Sequence, residues 1–296
     1  MLDPRALLTF NQVCMAGTIT AAARALNISQ PSVSSAIAAL EARLGARLFD
    51  RSRSGIVLTA EGEALKLKAQ LLHNLLRDAE AEVASVQGGV AGPLRVGGTP
   101  GALVSLLPPA IKALDRQSPA LNLNVIERSD SVLIELLRNG DIELAFVTTE
   151  IEEPPSDLIE ATLARDPFTL VVGRAHDDLP STLSLRDTAD MPWVLPEAQG
   201  AFRRQIDALF IANGLPTPRD VIRCDSLLTT KAIVRSGPRI TILPREVASA
   251  ELSIGVLRAV SIIEAGFNRS VGIRRHRDRP LSALARRLIE HLALYP

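Results

Sequence analysis

Between residues 4 and 15 the apolar side chains Leu7, Leu8, Phe10, Val13 and Cys14 recur at three- and four-residue steps, the period of a helix. Gly17 stops that helix, and Thr18 can cap a second one over 20–26, where the run Ala21-Ala22-Ala23 permits close packing. A polar turn over 27–29 places Ser29 at the N-cap of a third helix, 30–44, with Pro31 in the first turn, where its missing N–H has no intrahelical partner anyway. Val33, Ile37, Leu40 and Leu44 form the stripe this helix buries, leaving Gln30, Ser32, Ser34, Ser35 and Ala38 on its other faces. The turn-rich stretch 51–55 leads to a short apolar strand, 56–58.

No proline interrupts 60–87, and Leu65, Leu72, Leu75, Leu76, Ala79, Val83 and Val86 draw an apolar stripe down one long helix. At about 1.5 Å per residue it spans roughly 40 Å. The stripe needs cover, from a second copy of the chain or from the chain's own C-terminal part. Gly88-Gly89-Val90-Ala91-Gly92-Pro93 reads as a flexible hinge. Beyond it the pattern alternates: strands over 94–97, 121–127 and 144–147 with helices over 103–114 and 131–139, then strands over 168–172, 193–195, 221–224 and 240–242. This predicts α/β architecture in two lobes, each with a mainly parallel sheet, closed by a strand at 270–273 and a helix at 282–294.

A chain of 296 residues is too long for one ordinary core, and 47% hydrophobic with 22% charged residues excludes disordered and fibrous classes. The formal net charge of zero argues against coating nucleic acid through bulk electrostatics. Distribution modifies that picture, because the first sixty residues carry Arg5, Arg24, Arg43, Arg47, Arg51 and Arg53 against Asp3, Glu41 and Asp50. Cys14 and Cys224 lie far apart, which suggests neither a disulfide framework nor a zinc site. No apolar run reaches membrane-spanning length, and residues 1–5 do not resemble a secretion signal, so the expected compartment is the cytoplasm, with no membrane partner. His73, His176, His276 and His291 are scattered, and no nucleophile elbow or phosphate-binding glycine loop is present, so neither an enzyme nor a cofactor is expected.

Two helices joined by a short turn, the second with small side chains at its start, suit entry into the DNA major groove. Gln30 could pair with a base edge, Ser34 and Ser35 with phosphates, and Arg51 and Arg53 with the backbone or minor groove as a wing. On periodicity alone, a helical hairpin that merely packs, with its arginines in a solvated loop, is the better account. The residues themselves decide otherwise. The run 17–34, continued by Ile37, Leu40-Glu41, Leu44-Gly45, Leu48-Phe49-Asp50-Arg51 and Leu58-Thr59-Ala60-Glu61-Gly62, resembles the DNA-binding signature of the LysR-type transcriptional regulators. The resemblance spans nearly fifty residues, and the chain length is similar too.

This resemblance implies a winged helix-turn-helix at 1–60, a dimerisation helix and hinge at 61–92, and an effector-binding domain at 93–296 of periplasmic-binding-protein-like fold. Its lobe I would comprise about 93–165 and 267–296, and lobe II about 166–266. Double-stranded promoter DNA, a small-molecule effector, a homodimer or homotetramer and RNA polymerase are the implied partners. The DNA contacts would come from Ser29, Gln30, Pro31, Ser32, Ser34, Ser35, Arg51 and Arg53, although Ser35 stands where the family often has arginine.

In α/β sheets ligands bind at the C-terminal strand ends, near helix N-termini, and in LysR-like sensors such loops border the cleft between the lobes. They hold Thr99, Gly101 and Ala102 after the first strand, Thr148 after the third, Gln199, Gly200 and Phe202 before one helix, and Ser226 and Leu228 before another. Their hydroxyls and N–H groups suit a carboxylate, a sugar acid or a sugar, with Phe202 and Leu228 as an apolar wall. Thr99, Gln199 and Ser226 could equally be helix caps, and Arg128, Arg203 and Arg204 are candidate carboxylate partners. A transport solute-binding protein would share the lobes but not the helix-turn-helix, and a purely architectural DNA binder would not need the lobes.

Overall fold

Asp3 caps the first helix of the computed structural model, which describes residues 1–52, 55–88, 90–116, 120–197, 200–264 and 268–293. Three helices follow in close succession: α1 (Pro4–Ala16), α2 (Ile19–Leu26) and α3 (Gln30–Leu44). Thr18 Oγ1 accepts from the Ala21 N–H and Ser29 Oγ from the Ser32 N–H, so both later helices begin at side-chain caps. Phe10, Val13, Ala22, Ala23, Val33, Ile37 and Leu40 make one buried cluster, in which the alanines let α2 lie close to its neighbours. Leu44, expected in this stripe, is 39% exposed, one turn beyond the last packed residue. The strands β1 (Phe49–Ser52) and β2 (Gly55–Leu58) pair antiparallel as the wing. Glu41 holds the wing to α3, accepting the Leu48 N–H at 2.7 Å.

The helix α4 (Ala60–Gly88) begins where Thr59 accepts the Gly62 N–H at 3.0 Å. A Cβ on Gly62 would overlap the Leu48 carbonyl, so the glycine is what lets α4 start against the base of the wing. The leucine stripe is not the face that α4 buries within the chain. Its buried residues are Gly62, Ala69, Asn74 and Ser85, whereas Leu75, Val83 and Val86 are 66%, 60% and 78% exposed. Polar contacts fix α4 to the rest: Arg95 pairs with both carboxylate oxygens of Asp78 at 2.7 and 3.0 Å, and Asn74 Nδ2 donates to the Asn139 carbonyl at 2.8 Å.

The strand β3 (Ala91–Gly98) starts almost at once, and Ala91 already pairs with Leu121, so the glycines expected to form a loose hinge lie partly inside a sheet. Gly92 has φ +126°, and a Cβ there would overlap the Asn122 carbonyl oxygen, which makes it a bulge residue rather than a swivel. Residue 89 lies outside the described residues.

Helix α5 (Pro100–Asp115), β4 (Leu121–Glu127), α6 (Asp130–Asn139) and β5 (Leu144–Thr148) complete the first half of lobe I, with the parallel order β4-β3-β5. The chain then crosses over in β6 (Leu158–Val172), one unbroken strand of 15 residues whose first half the apolar pattern had not indicated. Lobe II contains β7 (Thr182–Leu183), β8 (Trp193–Leu195), α7 (Ala201–Ala212), β9 (Val221–Arg223), α8 (Leu227–Ser236), β10 (Thr241–Pro244), α9 (Ser249–Ser253) and β11 (Arg258–Ile262). The return is β12 (Asn268–His276), followed by α10 (Ala283–Ala293), which buries Leu284, Ala285, Leu288 and Leu292 in the core of lobe I.

The sheets are therefore mixed, not mainly parallel. β12 runs antiparallel to β5 and to β6, because one crossover leaves lobe I and the other returns to it. Pairing changes hands along β6: β12 accompanies it as far as Pro167, and β10 takes over from Phe168. Among the described residues no helix is long and apolar enough to cross a membrane.

Gly62→Ala tests the contact between α4 and the wing. The added methyl must push against backbone, so thermal unfolding followed by circular dichroism is expected to show destabilisation of about 1–3 kcal/mol.

Candidate functional site

Two regions carry chemistry, one in the helix-turn-helix and one between the lobes. In the first, α3 presents Gln30, Pro31, Ser32 and Ser35 to solvent and Ser34 half-buried, on the side away from Val33 and Ile37. Ser29 is the helix cap, and its hydroxyl is also 2.7 Å from that of Ser32. Arg51 belongs to strand β1 rather than to a turn, and Arg53 lies outside the described residues. The outer face of α3 is thus small and uncharged at its N-terminal end, a shape that admits close approach to base edges.

The second region is a cavity of about 370 Å³ between the lobes. Four helices begin at its wall, α5, α6, α7 and α8, through Thr99–Gly101, Ser129–Asp130, Gly200–Phe202 and Leu227. Thr99, Ser129 and Gly200 provide no side-chain cap, so among the described residues the first N–H groups of α5, α6 and α7 have no capping side chain at their N-cap positions. The rest of the wall is largely aliphatic, from Val194, Leu195, Leu227, Leu243 and Val247, with Phe202 stacked on Phe168 at 6.2 Å.

Arg269 also forms part of this wall although it is only 3% exposed. It sits opposite Asp166, itself 3% exposed, in the register of the two crossover strands, one step before pairing passes to lobe II. Its Nη2 donates to the Gly101 carbonyl at 3.1 Å and to Ser105 Oγ at 3.0 Å, and lies 4.0 Å from Asp166 Oδ2. Its Nε is buried with no hydrogen-bond partner among the described residues. Burial pushes the guanidinium down to about 10, against the pull of Asp166, and still leaves it charged at neutral pH. Burial likewise pushes the Asp166 carboxyl up, opposed by the Glu246 N–H bonded to Oδ1 at 3.1 Å and by Arg269. The pair thereby touches α5 of lobe I and the turn after β10 in lobe II.

Other charges at the wall have partners of their own. Asp130 pairs with Arg274 at 3.1 Å, Asp225 accepts the Glu197 N–H at 2.9 Å, and Arg203 pairs with Asp207 at 2.9 Å. Arg204, which does not line the cavity, pairs with Glu152 at 3.2 Å, and Arg128 Nη1 donates to the Glu127 carbonyl at the cavity rim.

Thr99, Gly101, Thr148, Gly200 and Phe202, expected from the sequence to meet an effector, lie on the cavity wall. Ala102 does not: it is fully buried in the lobe I core. Ser226 instead caps α8 through the Thr229 N–H at 3.3 Å. Leu228 points to solvent with 77% exposure, and its neighbour Leu227 takes the place on the wall. Gln199 is outside the described residues. Sequence reasoning missed Arg269 and Asp166, each a charge just before an expected strand, 270–273 and 168–172, where a charge reads as surface. Cys224 is a free thiol on the wall, and burial pushes the Cys14 thiol up to about 11, so Cys14 is not a thiolate at neutral pH.

Comparison with known proteins agrees from end to end. Residues 4–63 match the family model for the bacterial regulatory helix-turn-helix protein, lysR family, and residues 87–294 match the LysR substrate binding domain. The HTH-type transcriptional regulator GalR of Pseudomonas putida is 26% identical over 273 residues, 92% of this chain and 69% of its own length. Full-length CbnR complexed with its target DNA superimposes with a TM-score of 0.70 at 23% identity, over 98% of this chain and 99% of CbnR. Full-length LysG of Corynebacterium glutamicum with bound effector Arg gives 0.65 at 20% identity, over 99% and 97%.

Asp166→Asn leaves the Arg269 charge buried without its counter-charge. Urea unfolding is expected to show a loss of about 3 kcal/mol or more. The double change Asp166→Asn with Arg269→Met, which removes both charges, is expected to recover a substantial part of it.

Proposed function

The chain belongs to the LysR family of bacterial transcriptional regulators, and from that premise we propose that a small effector held in the 370 Å³ cleft changes how paired DNA-binding units sit on a promoter. It is a ligand-responsive regulator with a helix-turn-helix at one end and an effector-binding domain at the other. The observation that carries the cleft reading is the convergence of four helix N-termini from both lobes on one cavity. A ligand there bonds to both lobes at once, so it favours whichever lobe arrangement brings those termini together.

On the DNA side, Gln30 and Ser34 would read base edges and phosphates while Ser29, Pro31, Ser32 and Ser35 keep the approach close. The wing, through Arg51 and Arg53, would meet the backbone. Thr99, Gly101, Thr148, Gly200 and Phe202 are the effector contacts we propose, with Leu227 in place of Leu228. For fluorescent DNA from promoters next to the protein's own gene, at one stated salt concentration, Gln30→Ala with Ser34→Ala is expected to erase preference over random DNA. Non-specific affinity, carried by phosphates, should largely remain. Wild-type protein that prefers no promoter fragment would defeat the assignment of α3 as the reading helix.

The exposed stripe Leu75, Val83 and Val86 supports a second copy as its cover, because no other part of the described chain reaches it. A homodimer through α4 presents two reading helices to a site of two-fold symmetry, and pairing of dimers gives a tetramer. RNA polymerase would then sense the arrangement of that assembly on cytoplasmic promoter DNA. Leu75→Glu with Val83→Glu is expected to shift sedimentation to a monomer and to weaken promoter binding in parallel. An unchanged oligomer would move the interface elsewhere.

A further inference from the structure

Given the cleft as the effector site, on which this inference rests, we propose that the ligand is a monocarboxylate with an apolar body, its carboxylate taken by Arg269. Three observations converge. The first is the state of the guanidinium: it is 3% exposed, and among the described residues its nearest carboxylate is 4.0 Å away and its Nε has no partner. A buried cation so thinly compensated has donors to spare, and a carboxylate is the acceptor whose two oxygens fit a planar guanidinium fork.

The second is the room made for it. A Cβ on Gly101 would overlap Nη1 of Arg269, so the glycine at the second residue of α5 brings the helix terminus and the guanidinium together. Pro100 lacks an N–H, but Gly101 and Ala102 keep theirs, and the Thr99 hydroxyl makes no capping bond. The partial positive charge of that terminus adds to the guanidinium at one spot. The acidic side chains around the cavity do not cancel this: Asp130 is tied to Arg274 and Asp225 accepts the Glu197 N–H, while Glu127 stands at the exposed rim beside Arg128.

The third is the remainder of the wall. Val194, Leu195, Leu227, Leu243, Val247 and Phe202 offer methyl groups and a ring face where a sugar would need several hydroxyl partners. A polyol laid against this aliphatic side leaves the hydroxyls that face it unpaired, at a cost for each. A ring or short chain of carbon fills the same space with no polar group to satisfy, and about 370 Å³ accommodates one such molecule. Because Arg269 and Asp166 face each other across the crossover strands, a carboxylate on Arg269 would sit at the crossing between the lobes.

The test uses the full-length protein at pH 7 and titration calorimetry with defined probes. These are benzoate, cyclohexanecarboxylate and hexanoate, the matching amides benzamide, cyclohexanecarboxamide and hexanamide, and D-galactose and D-gluconate. At least one acid is expected to bind, with its amide weaker by about tenfold or more, the scale of one charge-assisted pairing. Binding should vanish in the pair Arg269→Met with Asp166→Asn, whose fold is checked by its unfolding transition, and in Leu227→Trp, which fills the cleft. The acid-to-amide comparison needs no variant, so misfolding of either one leaves the test intact. An amide that binds as well as its acid, binding confined to galactose or gluconate, or no acid binding up to about 10 mM would each overturn the proposal. If galactose or an amide binds and Leu227→Trp abolishes it, the cleft reading survives without the carboxylate. Acid binding that persists in Leu227→Trp would remove the cleft reading itself.

Discussion

The two lobes are joined by strands that run in opposite directions, and at the crossing an arginine and an aspartate, each only 3% exposed, face each other. Burying a guanidinium and a carboxylate costs several kcal/mol for each ion unless they are paired and hydrogen-bonded. Here the compensation comes from both sides of the joint: Gly101 and Ser105 of lobe I hold Arg269, and the Glu246 N–H of lobe II holds Asp166. Each of these bonds lies within one lobe, so the charge contact that spans the joint is that between Arg269 and Asp166, at 4.0 Å. The position of α5 follows, since Gly101 is both a partner of Arg269 and the start of that helix. With α5 are placed the cavity and the N-terminal groups that look into it.

A second division of labour runs along α4. Its inner side uses polar, directional contacts, Asp78 with Arg95 and Asn74 with the Asn139 carbonyl, to register the helix against lobe I. Its outer side carries leucines and valines in water. Directional contacts fix one geometry, whereas an aliphatic stripe binds whatever apolar face is offered, so the helix is fixed to its own sensor and adhesive toward a partner. The bulge at Gly92 pins the start of β3 against β4, and Arg95 of that strand holds α4 through Asp78, so the helix and lobe I are tied by directional contacts.

The helix-turn-helix was legible because its rules are local. Ser29, Pro31 and the 3.6-residue spacing of Val33, Ile37 and Leu40 report on their own neighbourhood, and each acts as its chemistry suggests. Gly62 shows the limit of that reading: its place in the motif was visible, but its reason, the carbonyl of Leu48, belongs to a residue fourteen positions away. In the sensor the loops after β3 and β5 and before α7 and α8 were located from the alternation of strands and helices. Which side chain of a loop faces inward was not, since Leu227 and Leu228 are equivalent as letters and opposite in direction. The first half of β6 carries Glu160, Thr162 and Arg165 among its apolar residues, so it lacks the clean signal of a buried strand. Arg269 could not have been found by pattern at all. An arginine at a strand start reads as surface, and only the crossover brings it opposite an aspartate about a hundred residues earlier.

Coupling between the ends of the molecule is set by how differently an effector binds the two lobe arrangements. A ligand touching only one lobe would bind both arrangements alike and shift nothing, however tight. The cavity avoids this by construction, because α5 and α6 belong to lobe I while α7 and α8 belong to lobe II, and all four begin on its wall. The crossing would add leverage, since a charge paired with Arg269 competes with Asp166, 4.0 Å away across the paired strands. An effector bound as proposed would be felt twice, once where it bridges the lobes and once where it alters the balance of charge at their joint. Either effect would have a path to α4 through the sheet of lobe I, whose strand β3 is bonded to that helix through Arg95 and Asp78.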